Sequence, residues 1–276
     1  MAPAAAALSV APTGARRTRA DHPALPLSPA EIAETAAQCL AAGACLLHLH
    51  VRRADGSHSL EAEDYRPALE AVRRAVGERM VVQITTEAVG HYTIEQQIAL
   101  VKSLHPEAVS LALREVAPDE ASLATAAAFF EWMHRERIIP QVILYSADEV
   151  RRYHALQRRG ALPADRHWVI FVLGRFNTPQ VAQPAELVPF LQAWAEAPAT
   201  NAVPWALCAF GPREAACAGA ALALGGHARV GFENNLALPD GTPAASNAQL
   251  VAGAAGLAQL LGRPLAQAAA LRGWFA

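Results

Sequence analysis

The sequence predicts an α/β fold, a (β/α)8 TIM barrel in which eight parallel strands alternate with helices. Short apolar runs alternate with helical segments along nearly all of the 276 residues. Most of these apolar runs lack the in–out alternation of a half-exposed strand, which is typical of parallel sheets that helices cover on both sides. Eight strand–helix units in about 250 residues indicate this barrel. Because no linker or change in composition interrupts the chain, we expect a single domain over residues 1–276.

Capping residues and glycines mark the predicted helices. Ser28-Pro29-Ala30-Glu31 combines an N-cap serine, a proline at the first helical position and the glutamate of a capping box. Ser146-Ala147-Asp148-Glu149 repeats the capping box, and Gly43 and Gly225-Gly226 follow helix ends. The predicted helices are 29–42, 62–76, 94–104, 119–135, 146–159, 184–195, 212–224 and 245–261.

Apolar segments between the helices are the predicted strands. The first is weak, and a turn at Asp55-Gly56 follows the second. An open doubly wound sheet is the alternative fold, but neither a G-x-G-x-x-G nor a P-loop sequence follows the first strand. The predicted strands are 8–11, 46–52, 80–85, 108–113, 138–144, 168–173, 204–209 and 227–232.

Composition and charge exclude several classes of partner. The chain is 53% hydrophobic and 17% charged with a net charge of −2, so nothing indicates binding to nucleic acid or to an acidic membrane surface. We find no apolar run that would span a membrane, and Arg16, Arg17 and Arg19 follow the apolar N-terminal stretch, which is the wrong order for a secretory signal. The four cysteines form no C-x-x-C pair, which favours reduced thiols and a cytoplasmic location.

Two histidines mark the second predicted strand, Leu46-Leu47-His48-Leu49-His50-Val51-Arg52. Alternate side chains of a strand point to the same face, so His48 and His50 project together. Two imidazoles on one face provide half of a metal site, which needs an oxygen or a third nitrogen to complete it. The alternative is a pair of core histidines that bond to backbone carbonyls.

Polar residues cluster at the predicted carboxyl ends of the strands, where TIM-barrel enzymes carry their active sites. Glu233 ends the last strand, which in a closed barrel returns close to the first two, and it is the natural third metal ligand. A His-His-Glu set with an open position is a catalytic type of zinc site. Glu233 is about equally well explained by an ion pair with Arg229 or by a helix cap. The other strand-end candidates are Arg52, Arg53, Thr85, Thr86, Glu87, Ser110, Arg114, Glu115, Tyr145, Ser146, Gly174, Arg175, Asn177, Asn234 and Asn235.

Two segments about 180 residues apart resemble the β-keto acid cleavage enzyme family, formerly a domain of unknown function. They are Leu47-His48-Leu49-His50-Val51-Arg52 and Gly225-Gly226-His227-Ala228-Arg229-Val230-Gly231-Phe232-Glu233-Asn234-Asn235-Leu236. The resemblance extends to the order of elements over nearly the whole chain. It implies a (β/α)8 barrel, usually tetrameric, that uses zinc or another divalent metal to condense a β-keto acid with acetyl-CoA, giving acetoacetate and a new CoA thioester. By resemblance, His48, His50 and Glu233 match the zinc ligands, and Arg229 matches the catalytic arginine.

The substrate pocket departs from the family pattern. The family usually has an aspartate after the zinc glutamate, where it helps to activate water, but this chain has Asn234. The serine–glycine turn that binds a carboxylate in the family is Thr85-Thr86-Glu87 here. The threonine and asparagine after the fourth strand are Ser110 and Ala112, and a glutamate near the end of the fifth strand is Ile143. The resemblance therefore supports the fold and the metal site more strongly than a particular substrate.

Asn234 cannot accept a proton at neutral pH, so a different catalytic base is expected. We favour Glu115, because the fourth strand lies across the barrel mouth from the eighth. Glu87 is the alternative, or it orients a metal-binding histidine. Both glutamates are equally consistent with ordinary ion pairs at strand ends. Three hydroxyl residues are expected to bond to the substrate carboxylate or to cap helices: Thr85, Thr86 and Ser110.

Three classes of function remain open at this point. The first is a zinc-dependent acyltransferase that takes a β-keto acid and acetyl-CoA and assembles as a homotetramer or another homo-oligomer. The second is a metal-dependent C–C lyase or hydrolase on the same barrel without CoA, which needs a metal, a water and one base. The third is a metal-binding or ligand-sensing barrel without catalysis, which the many polar strand-end residues disfavour.

Overall fold

Eight parallel strands form a closed barrel in the computed structural model, which describes residues 4–196 and 203–276. In chain order, the strands of the barrel and of one separate two-stranded sheet are β1 (Leu8–Val10), β2 (Leu46–Leu49), β3 (Val51–Arg52), β4 (His58–Ser59), β5 (Val81–Thr85), β6 (Ala108–Ala112), β7 (Ile139–Leu144), β8 (Trp168–Leu173), β9 (Trp205–Ala209) and β10 (His227–Val230). β3 and β4 form a separate antiparallel hairpin, and the barrel closes in the order β1-β10-β9-β8-β7-β6-β5-β2. The predicted fold class is confirmed.

Helices follow the strands, and α1 and α6 begin at the predicted capping residues. They are α1 (Pro29–Ala41), α2 (Ala62–Val76), α3 (Ile94–Leu104), α4 (Leu113–Val116), α5 (Leu123–Arg135), α6 (Ala147–Arg158), α7 (Leu187–Ala195), α8 (Glu214–Ala223), α9 (Asn247–Leu260) and α10 (Ala268–Gly273). Ser28 and Glu31 form the predicted capping box of α1. At α6, Ser146 caps the Glu149 N–H as expected, but the Glu149 carboxylate bonds to the N–H of Tyr145 at 2.7 Å. Within residues 4–196 and 203–276, no helix is long and apolar enough to cross a membrane.

The second predicted strand is shorter than expected. β2 ends at Leu49, and Val51 and Arg52 leave the barrel to pair with β4. Arg52 explains this departure, because its guanidinium donates to the carbonyl oxygens of Gly14, at 2.6 and 2.9 Å, and of Gly56, at 2.8 Å. The chain therefore turns outward immediately after the two histidines.

The predicted helix at 119–135 begins later, at Leu123. Asp119 and Ser122 bond to each other across a turn, with the Ser122 N–H donating to Asp119 Oδ1 at 2.9 Å. Such short polar side chains compete with helix formation and favour caps and turns. A separate short helix, α4, follows β6 directly, and Glu115 lies in it rather than at the end of a strand.

Alternate residues of the barrel strands form two cores. Leu47 and Leu49 of β2 pack outward in the layer between barrel and helices. Inside the barrel, Trp168 is fully buried near the amino-terminal ends of the strands. Trp205 is only partly buried. Toward the carboxyl ends the interior becomes polar, and the buried polar side chains there include His48, Gln83, Ser110, Gln141 and Arg229.

Candidate metal centre and active site

His48 and His50 lie together at the carboxyl end of β2. The pleat of the strand directs both imidazoles into the barrel mouth, while Leu47 and Leu49 face the helices. Both rings are buried, with exposures of 2% and 1%, and their Nε2 atoms are 3.1 Å apart. The shared face that the sequence predicted is therefore present.

Glu233 reaches the same point from the other end of the chain. Closure of the barrel places β10 beside β1, and β1 beside β2. The Glu233 Oε2 atom lies 3.6 Å from His48 Nε2 and 3.4 Å from His50 Nε2. These three side chains form a group whose donor atoms all lie within 4.8 Å of one another.

The donor set fits a divalent cation. His48 Nδ1 bonds to Gln83 Oε1 at 2.8 Å, and because a side-chain carbonyl only accepts, that nitrogen carries the proton. The lone pair of His48 therefore sits on Nε2, facing the other two donors. Among the described residues, Glu233 Oε2 has no hydrogen-bond partner. Two imidazole nitrogens and one carboxylate oxygen are a donor set that zinc and other divalent metals accept.

A second layer of side chains orients these ligands. Gln83 accepts from His48 and donates through Nε2 to Gln141 Oε1 at 3.2 Å. A partner that fixes the tautomer and the ring orientation of a ligating histidine is a common feature of metal sites. His58 packs beside His50 with ring centroids 5.3 Å apart and bonds to the Glu87 carbonyl at 3.0 Å.

The charges of the site keep the glutamate ionised. Burial acts to raise the pKa of Glu233, but Arg229 and the two histidines outweigh it and hold the pKa well below its usual range. Burial lowers the pKa of His48 well below its usual value, and the positive charge of Arg229 lowers it further. A neutral imidazole beside an ionised carboxylate is the protonation state that metal binding needs.

The N-terminal segment after β1 packs directly on Glu233. Gly14 has φ +67°, and a Cβ atom there would lie 2.6 Å from Glu233 Cγ. Arg17 donates to the carbonyl oxygens of Glu233 and Asn234, both at 3.3 Å. Arg52 in turn donates to the carbonyls of Gly14 and Arg17. Sequence reasoning assigned no role to Gly14 or Arg17, because nothing in their neighbourhood resembles a ligand or cap pattern.

Two buried side chains bond to the Glu233 loop, which is the segment 231–235 that follows β10. Glu214, at the start of α8, accepts from the Gly231 N–H at 3.1 Å and from Asn235 Nδ2 at 3.2 Å. Burial raises the pKa of Glu214 to about 8. Asn247, at the start of α9, accepts from the Phe232 N–H at 2.8 Å. The loop that carries the candidate ligand is thus held on both sides.

Arg229 is buried beside the metal-binding group with part of its guanidinium free. Its Nη2 donates to Cys208 Sγ at 3.2 Å and to Glu233 Oε1 at 3.4 Å. Its Nε and Nη1 have no partner within the part of the chain that the structure describes. Burial acts to lower the pKa of Arg229, but Cys208, Glu233 and Tyr145 outweigh it and raise the pKa. Free N–H donors on a permanent cation suit a carboxylate ligand.

A narrow inner cavity connects this group to the barrel mouth. Its volume is about 20 Å³, close to the space needed for one water-sized molecule. An outer chamber of about 290 Å³ shares Glu87, Arg175, Phe210 and Glu233 with it and is also lined by the N-terminal segment. The inner cavity is lined by His48, His50, Thr85, Glu87, Ile143, Tyr145, Val172, Arg175, Phe210, Arg229 and Glu233.

The predicted catalytic glutamates occupy different places. Glu87 lines both cavities and its Oε1 lies 3.5 Å from Arg175 Nη2. Glu115 lines neither, since its Oε2 accepts from the Ala88 N–H at 3.1 Å and from Gln97 Nε2 at 2.8 Å. Burial raises the pKa of Glu115. The geometry therefore favours Glu87 over Glu115, contrary to the preference drawn from the sequence.

The three predicted hydroxyl residues also separate. Thr85 lines the inner cavity, and its Oγ1 accepts from the Glu87 N–H at 3.1 Å. Thr86 Oγ1 donates to the Ser110 carbonyl at 3.0 Å, which leaves it a structural contact. Ser110 Oγ is buried inside the barrel without a hydrogen-bond partner among the residues described. Only Thr85 faces the cavity.

Asn234 is fully buried and lies outside the residues that line the cavity. Its backbone oxygen accepts from Gly211 N–H at 3.0 Å and from Arg17. Its side-chain Oδ1 and Nδ2 have no partner in residues 4–196 and 203–276. Asn234, which replaces the aspartate usual in the family, therefore neither lines the cavity nor has the chemistry of an acid–base group.

A (β/α)8 barrel that carries a His-His-Glu group and a buried arginine at its carboxyl-terminal mouth has the architecture of a TIM-barrel enzyme with a candidate metal site. The model of the beta-keto acid cleavage enzyme family matches residues 6–276, and the chain belongs to that family of C–C bond-cleaving enzymes.

Similar proteins with established names agree with this assignment. The chain is 31% identical to the 3-oxoadipate:acetyl-CoA acetyltransferase of Cupriavidus necator over 270 residues, which cover 96% of this chain and 92% of that protein. It is 29% identical to the 3-keto-5-aminohexanoate cleavage enzyme of Fusobacterium nucleatum, covering 94% and 93% of the two chains.

Among solved structures, the apo form of ObcA superposes with a TM-score of 0.73 at 18% identity, and this chain covers 65% of its length. ObcA with a C4-CoA adduct and oxalate gives a TM-score of 0.74 at 18% identity, with 92% of this chain and 67% of that chain covered. At this level of identity the likeness establishes the fold alone.

Proposed function

We propose that this chain is a zinc-dependent β-keto acid cleavage enzyme that uses acetyl-CoA as co-substrate. The products are acetoacetate and the CoA thioester of the remaining acyl group. The observation that carries the proposal is the convergence of His48, His50 and Glu233 beside the free N–H donors of Arg229. The names of the relatives from Cupriavidus necator and Fusobacterium nucleatum support the same reaction type.

In balanced form, the β-keto acid loses the bond between its keto carbon and its carboxymethyl group. The carboxymethyl carbon becomes bonded to the acetyl carbon of acetyl-CoA as the acetyl C–S bond breaks, which gives acetoacetate and releases the CoA sulfur. The acyl group that remains becomes bonded to the CoA sulfur. No oxidant, reductant or water is consumed, so the reaction needs only groups that bind charge and move protons.

His48, His50 and Glu233 would hold the metal, which when bound supplies Lewis-acid polarisation of the keto oxygen. Zinc suits two imidazoles and one carboxylate, although other divalent metals accept the same ligands. Gln83 keeps the His48 proton on Nδ1 and thereby keeps Nε2 available.

Arg229 is proposed to bind the carboxylate of the β-keto acid. The inner cavity is small, so a substrate that enters it must come within reach of the Nε and Nη1 donors. The same guanidinium is placed to stabilise the negative charge that develops when the C–C bond breaks. Thr85, which lines the cavity, is the proposed second contact for the substrate.

Glu87 is the proposed catalytic base in place of the missing aspartate. Among the described residues that line the inner cavity, it is the only carboxylate besides Glu233. Its Oε1 lies 3.5 Å from Arg175 Nη2, and His58 Nε2 bonds to its backbone carbonyl at 3.0 Å, so both ends of the residue are held in place. A carboxylate in this position would accept a proton from the reacting substrate and return it later.

The wall opposite the histidines indicates the kind of β-keto acid. The strand order places β7 and β8 across the barrel from β2. Ile143 and Val172 come from those strands, and Phe210 follows β9. An apolar wall gives no partner to a charged group, so we propose that the acyl part transferred to CoA is short and uncharged.

A panel of β-keto acids of matched length tests this function. Substrates that end in methyl, carboxylate or ammonium groups are incubated with zinc-loaded enzyme and acetyl-CoA, and CoA esters are identified by mass. We expect the methyl-ended acid to give its acyl-CoA together with acetoacetate. Absence of every acyl-CoA product would reject the acyltransferase function.

A C–C lyase or hydrolase on the same metal site is the second candidate, and Asn234 is the observation that favours it. Without the usual acidic group, the metal-binding side chains and one base would suffice for cleavage by water. Loss of the β-keto acid in the absence of any CoA compound would support this alternative.

We also propose a homotetramer or another homo-oligomer and a cytoplasmic location, which mass measurement in solution and cell fractionation would test.

A further inference from the structure

The loop after β8 carries an exposed aromatic ring at the barrel mouth. Phe176 is 65% exposed, and it is the only aromatic residue among the large exposed apolar side chains of the described chain. Gly174 begins the loop with φ +73° and packs on Ala182, where a Cβ atom would meet backbone at 2.8 Å. The ring is therefore accessible to a ligand at the mouth of the barrel.

Two guanidinium groups flank the Phe176 ring. The guanidinium of Arg114 lies 4.8 Å from its centroid and 4.4 Å from that of Tyr145. The guanidinium of Arg175 lies 5.8 Å from the Phe176 centroid and 5.2 Å from that of Phe210. Cations at these distances attract the faces of aromatic rings.

Carboxylates fix the two arginines in place. Arg114 Nε lies 2.6 Å from Glu149 Oε1, and Arg175 Nη2 lies 3.5 Å from Glu87 Oε1. The Tyr145 and Phe176 rings contact each other edge to face, with centroids 5.2 Å apart. Phe176 is thus an exposed ring with defined neighbours rather than a side chain that extends freely into solvent.

This array is continuous with the catalytic cavity. Tyr145, Arg175 and Phe210 all line the inner cavity, and Arg175 and Phe210 also line the outer chamber. A molecule that reaches His48, His50 and Glu233 through the outer chamber therefore passes Arg175, whose guanidinium lies 5.8 Å from the Phe176 ring centroid.

Acetyl-CoA is such a molecule. Its thioester must approach the inner cavity, which has room for only about one water-sized group, so the nucleotide at the far end of the pantetheine arm stays outside. The nucleotide offers a flat adenine ring and several phosphates. Adenine stacks on aromatic rings, and guanidinium groups bind phosphates with directed hydrogen bonds.

We propose that Phe176, Arg114 and Arg175 form the subsite for the adenine nucleotide of CoA. The proposal rests on the function proposed above, in that acetyl-CoA is the co-substrate. Phe176 stacks on the adenine ring, and the outward N–H groups of the two arginines bind the phosphates. The pantetheine arm then runs through the outer chamber toward Arg229.

Direct binding to the zinc-loaded enzyme tests the subsite without requiring turnover. We expect adenosine 3′,5′-bisphosphate, the nucleotide end of CoA, to bind in calorimetry, and F176A to weaken it by roughly 5- to 100-fold, the range seen when a base loses an aromatic partner. F176W should retain binding. L260A is the matched control, since Leu260 is 85% exposed at the end of α9, remote from the loop, and should leave the dissociation constant unchanged.

Steady-state kinetics separates stacking from a general structural effect. F176A should raise KM for acetyl-CoA and leave KM for acetyl-pantetheine, which has the same thioester without the nucleotide, within twofold. Equal changes for both compounds, or no change for either, would overturn the subsite. A changed oligomeric state of F176A with unchanged nucleotide binding would also overturn it and would assign the ring to an interface between copies.

The two proposals fail in different ways. If the wild-type enzyme binds the bisphosphate through Phe176 but forms no acyl-CoA from any β-keto acid, the subsite stands and the acyltransferase function falls. If acyl transfer occurs and neither the bisphosphate nor CoA depends on Phe176, the function stands and the subsite falls.

Discussion

The two sides of the barrel mouth are built differently. On the side of β1, β2 and β10, His48 and His50 are buried and Glu233 is nearly so, and the loop around Glu233 is hydrogen-bonded to Arg17 and to Asn247 of α9. On the opposite side, β7 and β8 contribute apolar residues and a loop that exposes Phe176. A catalytic metal needs fixed ligands, whereas substrate choice depends on the shape and polarity of a wall. We infer that the first side sets the chemistry and the second selects the substrate.

Replacement of His48 and His50 by alanine is expected to have the largest effect of the variants on the side of the mouth that carries the candidate metal ligands. We expect H48A/H50A to lose the bound metal and all turnover, because a single carboxylate cannot hold zinc against solvent. Elemental analysis should show a fall from one metal per chain to none. H105A, at an exposed position after α3, should retain full metal content. Full occupancy in the double variant would refute the site.

Replacement of Arg229 by lysine tests whether the guanidinium acts in turnover. Lysine keeps the charge beside Glu233 but loses the directed donors that face the cavity. We expect kcat/KM to fall by about 10²–10³, as for loss of a donor to developing negative charge. Metal content should be unchanged and the melting temperature nearly so. An R229K enzyme as efficient as the wild type would remove Arg229 from the mechanism.

The proposed base, Glu87, connects the two sides, since it pairs with Arg175 of the β8 loop. E87Q keeps the shape and hydrogen bonding of the side chain but removes the proton acceptor, so we expect a loss of about 10²–10⁴ in kcat and loss of the acid limb of the pH–rate profile. E115Q is the matched control and should affect turnover much less, because Glu115 bonds to the α3 side of the mouth. A dead E115Q with an active E87Q would restore the assignment that the sequence favoured.

Glu87 and Glu115 show which part of the candidate site could not be predicted from the sequence. Strand periodicity and the two-residue spacing predicted the shared face of His48 and His50, because a strand repeats every two residues. Barrel closure predicted that Glu233 would return to them. The choice between Glu87 and Glu115 depended on which way each loop turns, and the short helix α4 that redirects Glu115 has no signal of its own.

The sequence also assigned no role to residues whose effect depends on what they contact in the fold rather than on their chemical type. Gly14 lies in an irregular segment, and only the structure brings it against Glu233. Tyr145 and Arg175 were located at strand ends without a role, because the array around Phe176 joins three loops that are distant in sequence.

Gly14 allows a smaller test of the metal side. An alanine Cβ at this position would overlap Glu233 Cγ and strain a backbone with φ +67°. We expect G14A to weaken metal affinity by about 10- to 100-fold, as loss of support for a metal ligand typically does. G160A has a similar φ of +71° with nothing within 4 Å of the added Cβ, so it carries the backbone strain alone. Equal metal affinity in G14A and G160A would contradict the role of this contact, as measured by competition with a chelating dye.

Glu214 gives the smallest expected effect, a pH dependence of stability. Burial raises its pKa to about 8 in the folded chain from a usual value of 4.5. Its contribution to stability is therefore complete below about 4.5 and is lost as the pH rises through about 8, since the unfolded chain releases the proton first. Burial lowers the pKa of His58 to about 3, so this neutral histidine has the opposite dependence, which ends near its usual value of 6.5.

The effect of Glu214 on stability is therefore best measured between about pH 6.5 and 8, where the opposite pH dependence of His58 has ended. We expect the melting temperature of the metal-loaded wild type to fall across this window, by about 2–4 °C for each 1 kcal/mol lost in a domain of this size. E214Q cannot ionise, so its melting temperature should stay flat, while E34Q, at an exposed position of α1, should follow the wild type. Parallel curves for E214Q and the wild type would show that Glu214 is already ionised behind the Glu233 loop. In that case its bonds to Gly231 and Asn235 support the loop as charge-assisted bonds, which are stronger than those of a neutral carboxyl.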